Sequence, residues 1–355
     1  MDIQNLLQLT VTNKASDLHL IPGVPPAVRV DGEIRFVSNM PALSVEEVHA
    51  MTFSLINQSQ RDKFVLEKEL DFSFNFGNVN NESIGRFRAN LYFQKGVICG
   101  EFRLLDAKIR TIEELNMPKI IHNFTTLKQG LVLVTGPTGH GKSTTLAAII
   151  NEINLTRSVN IITIEDPIEY LYPHGKSLIS QREMGQDTNS WASSLRSVLR
   201  EDPDVVLVGE MRDPETIAST VTIAETGHLV FSTLHTNSAS QSIDRIIDAF
   251  PPNQQSQIKI QLASTLKGII SQRLMPQISG GRIPGVELLL GTVAITSNIR
   301  DGKTHLIDSI IQNSQDIGMI PLEQSLASLV LSGVITLETA RSYALRQEEL
   351  LRLVG

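Results

Sequence analysis

An α/β protein in two parts, with a parallel sheet covered on both faces behind a smaller α+β unit, is predicted by three features of the sequence. The chain has 355 residues, more than one ordinary domain holds. From about Pro118 onward, short apolar runs alternate with helical segments, the pattern of buried parallel strands. Before about residue 108 the last two strand-like runs alternate polar and apolar positions, as half-buried antiparallel strands do.

Taken in order, the first unit (1–108) opens with a short helix over Ile3 to Leu9. DLHLIP and AVRVDGEIRFV follow as strands, then the pair GRFRANLYFQ and VICGEFRLL, separated by Lys95-Gly96 as in a hairpin. Asp106 to Met117 is a connector. The second unit (109–355) carries the apolar runs LVLVT, NIITIE, DVVLVGE, HLVFSTLH and GVELLLG. Helical segments such as TTLAAIINEI and ETIASTVTIA separate the first four, and the tail from Pro321 to Leu353 has a helical pattern.

Composition narrows the function classes. The chain is 41% hydrophobic and 19% charged, so a core of normal size can form. A formal charge of −7 does not favour a nucleic-acid binder. The single cysteine, Cys99, supports neither a disulfide framework nor a thiolate zinc site within one chain. The opening MDIQNLLQLT lacks the features of a signal peptide, and no apolar run approaches the roughly 20 residues of a membrane span. A soluble, cytoplasmic chain is expected, with membrane association only through partners.

The chemistry concentrates in Gly136-Pro137-Thr138-Gly139-His140-Gly141-Lys142-Ser143, followed by Thr144, which satisfies the phosphate-loop pattern between a strand and a helix. Its glycines let backbone N–H groups converge on phosphate oxygens, and the helix N-terminus adds positive potential. Lys142 reaches the outer phosphates of ATP, and the Ser143 hydroxyl ligates Mg²⁺. His140 contributes its backbone and is expected to point its ring outward.

Three further strands finish on groups useful to phosphoryl transfer: Glu165 (before Asp166), Glu210 and His235. Ligands of open α/β sheets bind beyond the carboxyl ends of the strands, so all three should face the phosphate-loop edge. Either Glu165 or Glu210 could orient the attacking water or hold Mg²⁺, and His235 could contact the γ-phosphate. Gly209 stands where such a strand ordinarily ends in Asp. His228 has the simpler reading of a structural residue. Arg86, Arg88 and Arg103, on the hairpin of the first unit, are candidates for an arginine that contacts nucleotide.

These residues resemble the type IV pilus and type II secretion ATPases, and among them the twitching-motility retraction ATPases (PilT-like). ASDLHLIPGVPPAVRVDGEI, GPTGHGKSTT, TIEDPIEY, VGEMRD and TGHLVFSTLHTNSA look like that family's boxes, with His140 where serine is usual. The match runs across nearly the whole chain. It implies a homohexameric ring of subunits with a PAS-like N-terminal domain and a RecA-like ATPase core. Nucleotide would lie between the two, with Arg86, Arg88 and Arg103 closing on the phosphates. Glu165 and Glu210 become the catalytic and metal-handling carboxylates and His235 the γ-phosphate contact. The ring would work at the inner face of the cell membrane on a platform protein at the pilus base. The stretch Ala294 to Asp301 keeps only the ends of the retraction branch's C-terminal motif, which leaves an accessory retraction or secretion motor as the alternative. A nucleic-acid translocase on the same core is the competing class.

Overall fold

The computed structural model describes residues 2–30, 32–79, 82–105 and 108–355, with the backbone alone at 78, 79 and 82–84. Asp31, expected in a strand-like run, and Asp106, expected to open the connector, lie outside these residues. The chain divides into two compact units: Met1–Lys108 with Pro167–Leu171, and Ile109–Asp166 with Tyr172–Gly355.

In the first unit, α1 (Ile3–Thr12) is capped by Asp2, whose carboxylate accepts the Gln4 amide, and it buries Ile3, Leu6, Leu7 and Thr10. That i, i+3, i+4, i+7 spacing is one helix face, carried on past the expected stop at Leu9. Strands β1 (Asp17–Leu20), β2 (Ala27–Val30) and β3 (Glu33–Phe36) follow. Two capping boxes, Ser44 with Glu47 and Asn57 with Gln60, start α2 (Val45–Phe53) and α3 (Gln58–Glu67). Long strands β4 (Glu69–Val79), β5 (Glu82–Gln94) and β6 (Val97–Leu105) complete an antiparallel sheet of order β3-β2-β1-β6-β5-β4.

Lys95 (φ 50°) and Gly96 (φ 81°) form the expected two-residue turn, since both positions need left-handed backbone. Strand β4 was not anticipated, although Phe72, Phe74 and Phe76 alternate with Asp71, Ser73 and Asn75 along it. Its phenylalanines join Phe87, Ala89, Leu91 and Phe102 in the unit's core.

The second unit is built on a seven-stranded sheet of order β13-β12-β7-β11-β10-β8-β9. After the one-turn helix α4 (His122–Thr125) come β7 (Gly130–Thr135), α5 (Lys142–Thr156), β8 (Asn160–Glu165) and β9 (Leu178–Glu183). Next are α6 (Trp191–Val198), β10 (Val205–Val208), α7 (Pro214–Glu225), β11 (Leu229–Leu234), α8 (Ala239–Asp248) and α9 (Pro252–Thr265). The hairpin β12 (Leu266–Pro276) and β13 (Arg282–Leu290) precedes α10 (Val293–Arg300) and α11 (Ile307–Asn313). Helices α12 (Leu322–Leu331), α13 (Leu337–Tyr343) and α14 (Gln347–Val354) confirm the helical tail around their own small core.

The sheet is parallel except at β13, which returns antiparallel beside β12 and corrects the wholly parallel expectation. A tight loop with Gly280 (φ 87°) and Gly281 (φ 79°) forces that return. Apolar residues of β7, β8, β10 and β11 feed two cores, one on each face, as strands covered on both sides require. Because these four strands are parallel, their carboxyl ends lie along one edge.

Candidate active site

The loop after β7 is shaped by glycines at Gly136 (φ 144°), Gly139 (φ 79°) and Gly141 (φ 82°). A Cβ at Gly136 would sit 2.4 Å from the Gln272 carbonyl oxygen of β12, so only glycine lets the chain pass there. Gly141 is the N-cap of α5, and no side chain caps that helix. Its first N–H groups, with the helix dipole behind them, suit phosphate oxygens. The buried Lys142 ammonium donates to the Gly136 carbonyl at 2.9 Å and the Pro137 carbonyl at 3.0 Å, inside the loop. Ser143 lies in the first turn of α5. Glycine cradle, buried ammonium and first-turn hydroxyl fit a nucleotide's phosphates and a magnesium ion.

The expected strand-end residues collect at the same edge. Glu165 is the last residue of β8, and its Oε1 accepts the Thr163 hydroxyl at 2.7 Å and the Gln181 amide at 3.5 Å. Strands β10 and β11 stop slightly earlier than expected, at Val208 and Leu234, so Glu210 and His235 stand just beyond their ends. The Gly209 N–H donates to the Ile164 carbonyl at 2.8 Å, and the Thr233 hydroxyl donates to the Gly209 carbonyl at 2.7 Å. These bonds hold the backbone that presents Glu210.

Glu210 is largely buried and is ion-paired with the exposed Arg212 guanidinium. Its other oxygen lies 3.4 Å from His235 Nε2. His235 Nδ1 lies 3.3 Å from the Thr138 hydroxyl, so a chain of polar contacts runs from the phosphate loop to Glu210. Burial holds the His235 imidazole below its ordinary pKa, helped by the Lys142 charge, while Glu210 pulls the other way. With a neutral ring, Nε2–H toward Glu210 leaves Nδ1 to accept the Thr138 hydroxyl proton.

The placement of His140 differs from the sequence reading, and that of His228 agrees with it. His140 does not point outward: its Nδ1 accepts the Leu274 N–H of β12 at 3.1 Å, and burial depresses its pKa. His228 Nδ1 lies 3.0 Å from the Ile223 carbonyl and 3.1 Å from the Thr226 hydroxyl, within the α7–β11 turn. Arg86, Arg88 and Arg103 belong to the first unit. Across its sheet, Ser73, Arg88, Arg103 and Asp17 follow one another in register, on the face opposite the phenylalanines. Arg103 binds Asp17 at 2.9 Å and Glu101 at 3.3 Å, which holds the Asp17 carboxyl down against its burial. Arg88 stands 4.0 Å from Asp71. Arg86 donates to Asn75 Oδ1 at 2.8 Å, to the Ser73 hydroxyl, and to the Ile168 carbonyl at 2.9 Å.

Arg212 and Gln272 were missed. Arg212 lies inside VGEMRD and could have been flagged by its two-residue spacing from Glu210. Gln272 interrupts the apolar run of β12 and is nonetheless buried, a signal visible only once the strand is known.

Comparison with known proteins gives a consistent picture. A family model described as type II/IV secretion system protein matches residues 102–286. The chain is 45% identical to the type IV pilus retraction ATPase PilT of Pseudomonas aeruginosa, over 97% of this chain and 98% of that one. It is 38% identical to the type IV pilus ATPase PilU of the same organism, over 97% and 89%. A crystal structure of the pilus retraction motor PilT with bound ADP superposes with a TM-score of 0.91 at 45% identity, covering 99% of both chains.

Proposed function

The chain belongs to the type II/IV secretion system ATPases, and on that footing we propose that it is a motor that hydrolyses ATP to retract type IV pili. The polar chain Thr138–His235–Glu210 carries the reading, because it joins the phosphate loop to a carboxylate at the same edge of the sheet. The near full-length similarity to a retraction ATPase supplies the task that ATP serves. Identity to the relative named as a retraction ATPase, 45%, exceeds the 38% to the relative named only as a type IV pilus ATPase, which favours the retraction reading.

ATP is the substrate. The loop N–H groups and the Lys142 ammonium bind its outer phosphates and neutralise charge as it develops on the γ-phosphoryl group. Magnesium, held by Ser143 with Glu165 or Glu210, would supply further charge at the β- and γ-oxygens. The carboxylate not engaged by the metal orients the attacking water and takes its proton. His235 positions Glu210 and meets the γ-phosphate. Arg86, Arg88 and Arg103 are the proposed source of the arginine that completes charge neutralisation. The working form is a homohexamer on a platform protein at the pilus base, at the inner face of the membrane. No described helix is long and apolar enough to cross a bilayer.

Steady-state ATPase activity of the purified chain and of Glu210→Ala, each with and without DNA, is the direct test. Turnover that requires Glu210 and ignores DNA is expected, together with restored twitching when the chain complements a retraction-deficient strain. Strong stimulation by DNA would overturn the motor reading in favour of a translocase.

A further inference from the structure

The phosphate loop is held by more than its own strand and helix. Strand β12, parallel to β7 in the sheet, meets the loop at three places. The Gln272 carbonyl lies where a Cβ of Gly136 would be. The Gln272 side chain, 2% exposed, donates through Nε2 to the His140 carbonyl at 2.6 Å and accepts the Thr145 hydroxyl at 2.9 Å through Oε1. Two residues on, the Leu274 N–H donates to His140 Nδ1 at 3.1 Å.

One buried amide thus ties the end of the loop to the first turns of α5, the two segments whose N–H groups must converge on phosphate. Both of its hydrogen-bonding groups are used, and its orientation is set by an acceptor on one side and a donor on the other. A Cβ at Gly141 would stand 3.2 Å from Gln272 Nε2, so the amide also lies against the α5 cap. The His140 ring stands beside Tyr343 of α13, with ring centroids 6.1 Å apart. The His140 ring thus also brings the loop against the C-terminal helices.

We propose that Gln272 is a positioning residue for nucleotide binding, and that His140 works with it by fastening the phosphate loop to β12. Neither group reaches the reacting atoms. Gln272 presets the curvature that lets the loop N–H groups bind phosphate, and the His140 imidazole stops the loop from swinging away from the strand. A loop released from β12 would have to be ordered by the nucleotide itself, which costs affinity before it costs chemistry.

The proposal rests on the nucleotide-binding reading, and its test separates the two. Full-length wild type, Gln272→Met, His140→Phe and His140→Asn are titrated with a fluorescent ADP analogue, assayed for ATP turnover, and checked by thermal unfolding. Methionine keeps the bulk of Gln272 without its hydrogen bonds, phenylalanine keeps a ring without an acceptor, and asparagine restores an acceptor near the place of Nδ1. Gln272→Met should weaken ADP and raise the ATP KM about tenfold, with kcat within about threefold of wild type. His140→Phe should move the same constants in the same direction, and His140→Asn should recover most of that loss. Unchanged affinity in both Gln272→Met and His140→Phe, or a fall in kcat with KM unmoved, overturns the proposal. Should Gln272→Met unfold, the Phe and Asn variants at 140 decide it alone: equal affinities refute it. A wild-type chain that binds no nucleotide refutes the underlying reading instead.

Discussion

The Glu210 carboxylate and the His235 imidazole face each other across 3.4 Å at the ends of neighbouring parallel strands. Both residues stand just past the ends of their strands. What the pairing fixes is orientation: the histidine, held on its far side by the Thr138 hydroxyl, keeps Glu210 turned toward the loop. His235→Ala should lower kcat by about a hundredfold while leaving the unfolding midpoint close to wild type. Thr138→Val should cost less, and the two changes together should cost less than their sum, because they interrupt one chain of contacts. Additive losses would show that Thr138 and His235 act separately.

Gly136 is a second point at which one substitution can be argued from geometry. Its φ of 144° is unfavourable for any residue with a Cβ, and that Cβ would stand 2.4 Å from a backbone oxygen of β12. A backbone atom has little room to yield. Gly136→Ala should destabilise the chain by about 1–3 kcal/mol and should weaken nucleotide binding in parallel. Melting curves with and without ADP measure both effects; an alanine variant as stable and as tight-binding as wild type would contradict this account.

The unequal legibility of the site has a physical origin. The phosphate loop was readable because its donors, its lysine and its hydroxyl are consecutive, and Glu165, Glu210 and His235 because each follows an apolar run. The hold of Gln272 on the loop was not, since it depends on β12 lying beside β7, a pairing between distant segments. Strand β9 escaped because Ser180, Gln181, Arg182 and Glu183 break its apolar character at the sheet edge. The reversed direction of β13 cannot be told from an apolar run, which is the same for either direction. His140 was misplaced because a loop pattern specifies backbone, while its ring is captured by the Leu274 N–H.

Gly209 tests whether the departure from the usual strand-end Asp is tolerated or required. A Cβ there would stand 3.3 Å from the Ile164 carbonyl, 3.4 Å from Glu165 Cα and 3.5 Å from the Trp191 ring. The crowding falls on the segment that carries Glu165. Gly209→Asp should therefore lower both the melting temperature and turnover, despite adding a carboxylate near the groups proposed to handle the metal. Turnover at or above the wild-type rate would mean the strand can move aside and that Gly209 is dispensable.

Glu287 gives a prediction for pH. It is buried on β13, where its carboxyl accepts the Ala239 N–H at 2.6 Å at the start of α8, the helix after the His235 loop. Burial pushes its pKa up to about 7; the Ala239 N–H and Arg346 oppose the rise, while Asp308 and Glu323 add to it. In the unfolded chain the same carboxyl titrates near its ordinary 4.5. Between these values the folded protein keeps a proton that the unfolded chain gives up. Stability from this group is thus complete below about 4.5, falls as pH rises through about 7, and is flat above. Glutamine keeps an oxygen for the Ala239 N–H and carries no charge to bury. Glu287→Gln should match wild type near pH 5 and exceed it near pH 8 by on the order of 1–3 kcal/mol. Thermal unfolding of both proteins at the two pH values reads this directly, and a gap that is constant with pH would show that the buried carboxyl is ionised throughout.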